Sequence, residues 1–542
     1  MVRLVGILIC ITFLGALLRF FNLSPFTVYP DSYQNLIVAE NIRTYGSVVG
    51  YLGKNGMLYP DFFMWTRPLF PLLINAVSFF SLTSLTTARS IAFVLGILAI
   101  PLTYLFIRRV FKQINIGLFG AFLLALSYNH TVWSGLLMTE AIGVFFMLMF
   151  LWRFFATVEK KVPMPSLQNI VTGFLFCLAV LARYEYLIIA LPVIFYIFKH
   201  SPQPMKYVVT VFIAMVIGLL ITGFLLFPVN SVILVLFSQL SDLLIKITVA
   251  IGIIALCYLV YRFLPIRYKA KIATFLPIVL SIIFVVLFFF GKNLTALKNF
   301  INHDYLLCFF ALIGLLTLLA DAKQRVLAYF VLLSIGLLGF IYHQINPDME
   351  RYFTHLIPFL LIPASFGLLY FFKTAFVNQT KSIRYLFFAL LSFLIFYQIV
   401  VTARGLRYLN DPSWYSPSYE DTAAHLVKKY ISGHPLLITS HPEPYYYFTG
   451  LDTQSIADTP PFLYLPPVSY NQQIVIIEDM GMHADFPRFT SVLYKRLQKY
   501  KYDSFRVDEG YHESKLFLPE NSPVVLYKIS FGELHMLMEK KQ

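Results

Sequence analysis

Over the first 400 residues, apolar runs of about 17 to 25 positions alternate with short polar breaks, the length a helix needs to cross a hydrocarbon core of about 30 Å. This pattern predicts spans near residues 4–21, 89–107, 115–132, 138–155, 167–182, 185–198, 207–227, 243–263, 272–290, 305–320, 326–342, 353–372 and 385–401. The chain thus reads as an α-helical polytopic membrane protein of about thirteen transmembrane helices. Two regions interrupt the rhythm. Residues 22–67 form a long polar loop after the first span, with a helical stretch from Asp31 to about Tyr45. Pro68–Phe80 and Pro228–Leu240 are apolar but too short to cross, so both are expected to lie along the interface and together to form a lid over the outer mouth.

Past residue 401 the pattern changes to that of a small α/β domain spanning 402–542. A helix is expected at Glu420–Ile431, strands at Leu436–Thr439, Gln473–Glu478 and Val524–Ile529, and a basic amphipathic helix near Phe489–Tyr500. The Pro-rich stretch 460–467 is a loop. Residues 1–401 form the transmembrane domain, with 22–67 as its first outer loop.

Composition agrees with a bilayer environment: 58% of the 542 residues are hydrophobic and only 13% charged, against about 25% in soluble proteins. The first 401 residues carry 28 Lys and Arg against 11 Asp and Glu, whereas the last 141 carry 14 against 16. A nucleic-acid binder would place its basic excess on a soluble patch. Here the excess falls in short loops between apolar runs, where it sets orientation, so nucleic acid is excluded as a partner. With the N-terminus inside, the even connections hold Arg108, Arg109 and Lys112, then Lys160 and Lys161, Lys199 and Lys206, Arg267 to Lys271, Lys323 and Arg325, and Lys373 to Arg384. An odd number of spans then puts residues 402–542 on the extracytoplasmic side of a plasma or inner membrane. Met1–Phe21 imitates a signal peptide, but no small-x-small cleavage site follows, which marks it as a retained first anchor. Cys10, Cys177, Cys257 and Cys308 all lie in apolar runs without a CxxC pair, as small hydrophobes do.

Charge inside or beside a span is costly unless it is paired or functional, so the few acids of the membrane half are informative. Asp31, Glu40, Asp61, Glu140, Glu185, Asp304, Asp348 and Glu350 all map to the outer side. Asp31 lies in Tyr29-Pro30-Asp31-Ser32-Tyr33, where its structural alternative is a helix cap. Glu140 heads an apolar span and needs a partner, for which Asn129 and His130 are the neighbours in sequence. Arg67, Arg183 and Arg351 add three guanidiniums on that face, whose planar forks suit phosphate, with snorkelling to headgroups as the alternative. Tyr33, His343, Glu350 and Tyr352 flank these groups and are further candidates for substrate contact. No P-loop, HExxH or DxD motif occurs, which removes support for a nucleotide cradle or metal-held nucleotide sugar.

The order of features resembles the GT-C superfamily of integral-membrane glycosyltransferases, nearest the protein mannosyltransferases and the aminoarabinose transferase of lipid A. The motifs are Pro30-Asp31, Arg67-Pro68-Leu69-Phe70-Pro71, Arg108-Arg109-Val110-Phe111, Ser127-Tyr128-Asn129, Thr139-Glu140-Ala141, Ala182-Arg183-Tyr184-Glu185 and Glu350-Arg351-Tyr352-Phe353 followed by Leu356-Ile357-Pro358-Phe359. The resemblance implies a catalytic transmembrane domain that moves a sugar from a polyprenyl-phosphate donor to an acceptor hydroxyl of a lipid, glycan or protein, with inversion. It implies Asp31 as general base, Glu140 as the second outer acid, and Arg351, with Arg67 and Arg183, on the donor phosphate. No cofactor is required by the sequence, and a divalent metal is compatible with it. Asp31-Ser32 departs from the Asp-Glu pair of protein mannosyltransferases. Two other classes remain as alternatives, a lipid or solute transporter or flippase and a non-catalytic membrane scaffold.

Overall fold

The computed structural model describes residues 2–23, 30–45, 67–78, 84–158, 167–226, 295–345, 350–376 and 380–409, then 419–431, 433–439, 445, 447, 449–451, 453–455, 473–478, 501–507 and 522–530. Two compact units divide the chain, one of Met1–Asn22 with Ser90–Leu406 and one of Leu23–Arg89 with Arg407–Gln542. Among the described residues, seven helices are long and apolar enough to cross a membrane, or nine if each of two bent pairs is one span. The chain is a multi-pass membrane protein. The expected spans at 243–263 and 272–290, the short helix at 228–240 and the helix at 489–500 lie outside the described residues.

The first unit opens with α1 (Val2–Phe20) and continues with α4 (Ser84–Phe111), which starts in the second unit and runs into the first. Lys112, at φ 56°, ends that helix in the left-handed region. The single span expected at 115–132 is broken: α5 (Ile114–Leu126) and α6 (Tyr128–Gly135) meet at Ser127 with a bend of 57°. Backbone groups freed within a bilayer must find partners in protein, and distant side chains supply them. The Asp304 carboxylate accepts from the backbone N–H groups of Tyr128 (2.8 Å) and Asn129 (3.2 Å) and from Asn129 Nδ2 (2.9 Å). The Leu126 carbonyl accepts from Gln398 Nε2 (3.3 Å) and Thr402 Oγ1 (3.4 Å), and the Leu124 carbonyl from Arg19 Nη2 (3.3 Å).

Next come α7 (Glu140–Thr157), α8 (Leu167–Ala182), a 3-10 turn at Tyr184–Ile189, α9 (Ala190–His200) and α10 (Pro204–Leu226). After them stand α11 (Thr295–His303), α12 (Tyr305–Ala320), α13 (Arg325–Ile345), a second 3-10 turn at Glu350–Leu356, α14 (Ile357–Phe376) and α15 (Lys381–Leu409). The amphipathic α11 has no counterpart among the expected elements; it meets α12 at 91° and is too short to cross. Helices α12 and α14 are in intimate contact because both carry glycine at the crossing. A Cβ on Gly314 would overlap the Pro363 carbonyl, and one on Gly367 the Phe310 carbonyl, the close approach that small residues permit in membranes. Phe150, Phe154, Phe155, Tyr196 and Phe330 interlock at the centre of the bundle.

In the second unit, α2 (Pro30–Tyr45) packs on α3 (Leu69–Ser78). Its five-stranded sheet has the order β2-β1-β3-β5-β4, with β1 (Leu436–Thr439), β2 (Thr453–Ser455), β3 (Gln473–Glu478), β4 (Lys501–Val507) and β5 (Ser522–Ser530). β1 pairs in parallel with β2 and β3, whereas β5 runs antiparallel to β3 and β4. Alternate residues Val475 and Ile477 of β3, with Leu437 and Leu526, face Ala423 and Val427 of α16 (Tyr419–Tyr430) and Tyr445 to form the core. The strands at 453–455 and 501–507 are additional to those the hydropathy pattern marks.

Candidate active site

Four of the charged and aromatic residues singled out in the sequence meet in the first unit. Glu140 is the first residue of α7, preceded by Thr139, and its side chain is fully buried. It does not turn to Asn129 or His130, since Asn129 is bonded to Asp304 and His130 Nδ1 accepts from Arg19 at 2.6 Å. Its partner is Arg183, whose Nη2 donates to Glu140 Oε1 at 2.5 Å with both side chains at 0% exposure. Arg183 follows α8 and enters the 3-10 turn, so that Glu185 lies 3.7 Å from its Nη1. Two guanidiniums converge on one ring: Arg183 stands 5.6 Å and Arg351 5.1 Å from the centroid of Tyr352. Each gains from the negative face of the ring, and Arg351 Nη2 also donates to the Tyr352 hydroxyl at 3.4 Å.

Space for this cluster comes from Gly143, one turn beyond Glu140. A Cβ there would lie 2.9 Å from Arg183 Cγ and 3.1 Å from His355 Cε1. His355 closes the rear wall, with the Tyr186 hydroxyl 2.9 Å from its Nδ1 and the ring of Tyr342 5.6 Å away; Tyr342 in turn stacks on Tyr352. These three residues escape a search for charged motifs. The one signal they leave is a histidine within an apolar span at Thr354-His355-Leu356. Oε2 of Glu140 and Nε of Arg183 are buried without a hydrogen-bond partner.

A second polar group forms at the junction of α11 and α12. His303 Nδ1 and Glu350 Oε1 are 2.7 Å apart, and the ring of Tyr128 lies 4.5 Å from that of His303. The hydrogen bond to Glu350 pushes the His303 pKa up from its ordinary value. Glu350 is thereby tied to His303. His343 lies in the last turns of α13; its side chain is outside the described residues.

The remaining sequence candidates belong to the second unit. Pro30 takes the first position of α2, where its missing N–H costs nothing, and Asp31 takes the second; the side chain of Asp31 is outside the described residues. Tyr33 is buried, its ring 5.2 Å from that of Tyr447. Arg67 has φ 41° directly ahead of Pro68, a left-handed backbone at a position already restricted by proline. Among the described residues, no group of three or more His, Cys, Asp or Glu side chains is placed to hold a metal ion.

Residues 66–227 match the family described as dolichyl-phosphate-mannose-protein mannosyltransferase. No curated protein matches the sequence. The fold is similar to that of the Archaeoglobus fulgidus oligosaccharyltransferase tethered with an acceptor peptide containing the NVT sequon, with TM-score 0.59 and 13% identity over 97% of this chain and 76% of that one. The same archaeal enzyme in complex with Zn and sulfate gives 0.57 and 14% over 95% and 73%. ArnT from Cupriavidus metallidurans bound to undecaprenyl phosphate gives 0.55 and 13% over 97% of each chain. The resemblance to the GT-C superfamily therefore extends from the short motifs to the fold.

Proposed function

We propose that the chain is a membrane glycosyltransferase that takes a sugar from a polyprenyl-phosphate donor and passes it to an acceptor hydroxyl at the extracytoplasmic face of a plasma or inner membrane. The observation that supports this most directly is the convergence of Arg183 and Arg351 on Tyr352 beside the Glu140 carboxylate. Buried paired guanidiniums are suited to an anion whose charge grows during reaction, as on the departing polyprenyl phosphate. Undecaprenyl phosphate and a peptide acceptor occupy matched structures, which supports the same two classes of ligand here.

In this reading Asp31 removes the proton of the acceptor hydroxyl while its oxygen bonds to the anomeric carbon. The bond from that carbon to the phosphate oxygen breaks on the opposite side, and the configuration inverts. Arg351 and Arg183, with Arg67 as a third cation, take up the phosphate charge. Glu140 holds Arg183 in register rather than acting on the acceptor. The tail, residues 402–542, is extracytoplasmic in this reading and presents the acceptor side.

The test is transfer from a panel of radiolabelled polyprenyl-phosphate sugars by purified protein in nanodiscs, with Asp31→Asn alongside and a chelator in one arm. The expected result is transfer by the wild type and a loss of at least about 100-fold in the variant, the range that general-base removal reaches. Full activity of Asp31→Asn would remove the base assignment, and absence of transfer from every donor would favour a transporter or scaffold. Loss of transfer with chelator, restored by added divalent ion, would establish a metal requirement.

A further inference from the structure

Helices α8 and α10 run parallel and nearly touch. A Cβ on Gly173 would overlap the Val211 carbonyl, and one on Gly218 would lie 2.8 Å from Cys177 Sγ. The flanking side chains stand off this contact line and leave a groove of about 830 Å³ between the two helices, within the roughly 300–1,000 Å³ of small-molecule sites. Its walls are Ile170, Val171 and Phe174 of α8 and Val209, Ile213 and Ile217 of α10. The two threonines along it contribute no free polarity, because Thr210 Oγ1 donates to the Lys206 carbonyl and Thr222 Oγ1 to that of Gly218, both at 2.8 Å.

One end differs. Lys206 lines the groove there, exposed and without an ion pair among the described residues. From Lys206 to Thr222 the groove follows α10 for roughly 24 Å at 1.5 Å per residue, most of the bilayer's hydrocarbon thickness of about 30 Å. Lys206 sits by the first turns of α8, whereas Arg183 follows the last residue of that helix, so the cationic end is on the face opposite the Glu140–Arg183 cluster. A long apolar trough with a single ammonium at the headgroup level complements an amphiphile with one anionic head.

We propose that the α8–α10 groove binds an anionic phospholipid of the bilayer, its phosphate on Lys206 and one acyl chain along Ile213 and Ile217. The basic connections assign Lys206 to the cytoplasmic side, where anionic lipid is the attractive partner for lysine. The site is separate from the sugar-transfer chemistry and stands or falls independently of it.

The test uses the full chain in phosphatidylcholine vesicles carrying a trace of photoactivatable phosphatidylglycerol or, in a parallel arm, equally photoactivatable phosphatidylcholine. Crosslinked peptides are mapped by mass spectrometry in the wild type, Lys206→Gln and Ile213→Trp. Labelling of residues 170–174 and 209–222 by phosphatidylglycerol should exceed that by phosphatidylcholine several-fold in the wild type. The preference should fall to near one in Lys206→Gln, and total labelling of the groove should fall in Ile213→Trp, which fills it from an exposed position. Equal labelling by both lipids in the wild type would overturn the proposal. So would a preference that survives both substitutions, or crosslinks from the groove to a second copy or another segment of the chain in place of lipid.

Discussion

Glu140 and Arg183 are shut off from solvent together, and removing one member of such a pair strands the other. Glu140→Ala should therefore destabilise the protein by about 3–5 kcal/mol, read as a fall in thermal midpoint in detergent. The double variant Glu140→Gln/Arg183→Met should regain much of that stability without regaining transfer; a double variant no better than the worse single one would refute the pairing. His303 and Glu350 make a different kind of pair, half in water. The pKa of His303 is raised in the fold by its hydrogen bond to Glu350, so its stabilising contribution is fully present below the unfolded value of about 6.5 and is lost as pH rises through the higher folded value. The gap in thermal midpoint between wild type and Glu350→Gln should thus be widest near pH 5 to 6 and close on the alkaline side; a gap that widens with pH would reverse the assignment. Glu140, Arg183 and Arg351 stand out in the sequence because charge is expensive among apolar neighbours. Their pairings do not. Tyr186 meets His355 across 169 positions, a distance at which no local spacing carries information.

At the scale of elements, hydropathy marks most of the described spans to within a few residues because the bilayer itself sets the length of an apolar helix. The break at Ser127 is hidden from it, since both α5 and α6 are apolar enough to read as one span. What makes the break tolerable is a set of acceptors and donors brought from elsewhere, above all Asp304 on the first N–H groups of α6. Asp304→Leu removes a cap and leaves those groups buried, which should cost about 2 kcal/mol or more. Asp304→Asn keeps an acceptor oxygen and should lose less. Hydrogen exchange at residues 128–131 is the direct readout, with faster exchange expected in Asp304→Leu; protection equal to wild type would show that another group caps α6. The amphipathic α11 is missed for a related reason: its nine residues carry neither the length nor the uniform apolarity of a span.

For the molecule as a whole, membrane sidedness follows from counting crossings, and one stretch permits the count without reference to any other part of the chain. Among the described residues between Lys323 and His434 stand three helices long and apolar enough to cross, Arg325–Tyr342, Glu350–Thr374 and Arg384–Thr402. An odd number of crossings places the two residues on opposite faces. In the proposed topology the positive-inside rule puts Lys323 and Arg325 on the inner face, and His434 with the sheet that follows it then lies outside. Both residues are exposed, so each can report through a single cysteine in a background where the four native cysteines are replaced. An impermeant maleimide added to intact cells should label His434→Cys and spare Lys323→Cys, and permeabilised cells should label both. If both are labelled in intact cells, an even number of the three helices cross and Lys323 lies outside together with the tail; if neither is labelled, both lie inside, and the tail loses the location that the proposed acceptor chemistry requires. If only Lys323→Cys is labelled, the whole bundle is inverted, and the Arg183–Arg351 cluster would face the compartment opposite to the one assigned to donor and acceptor.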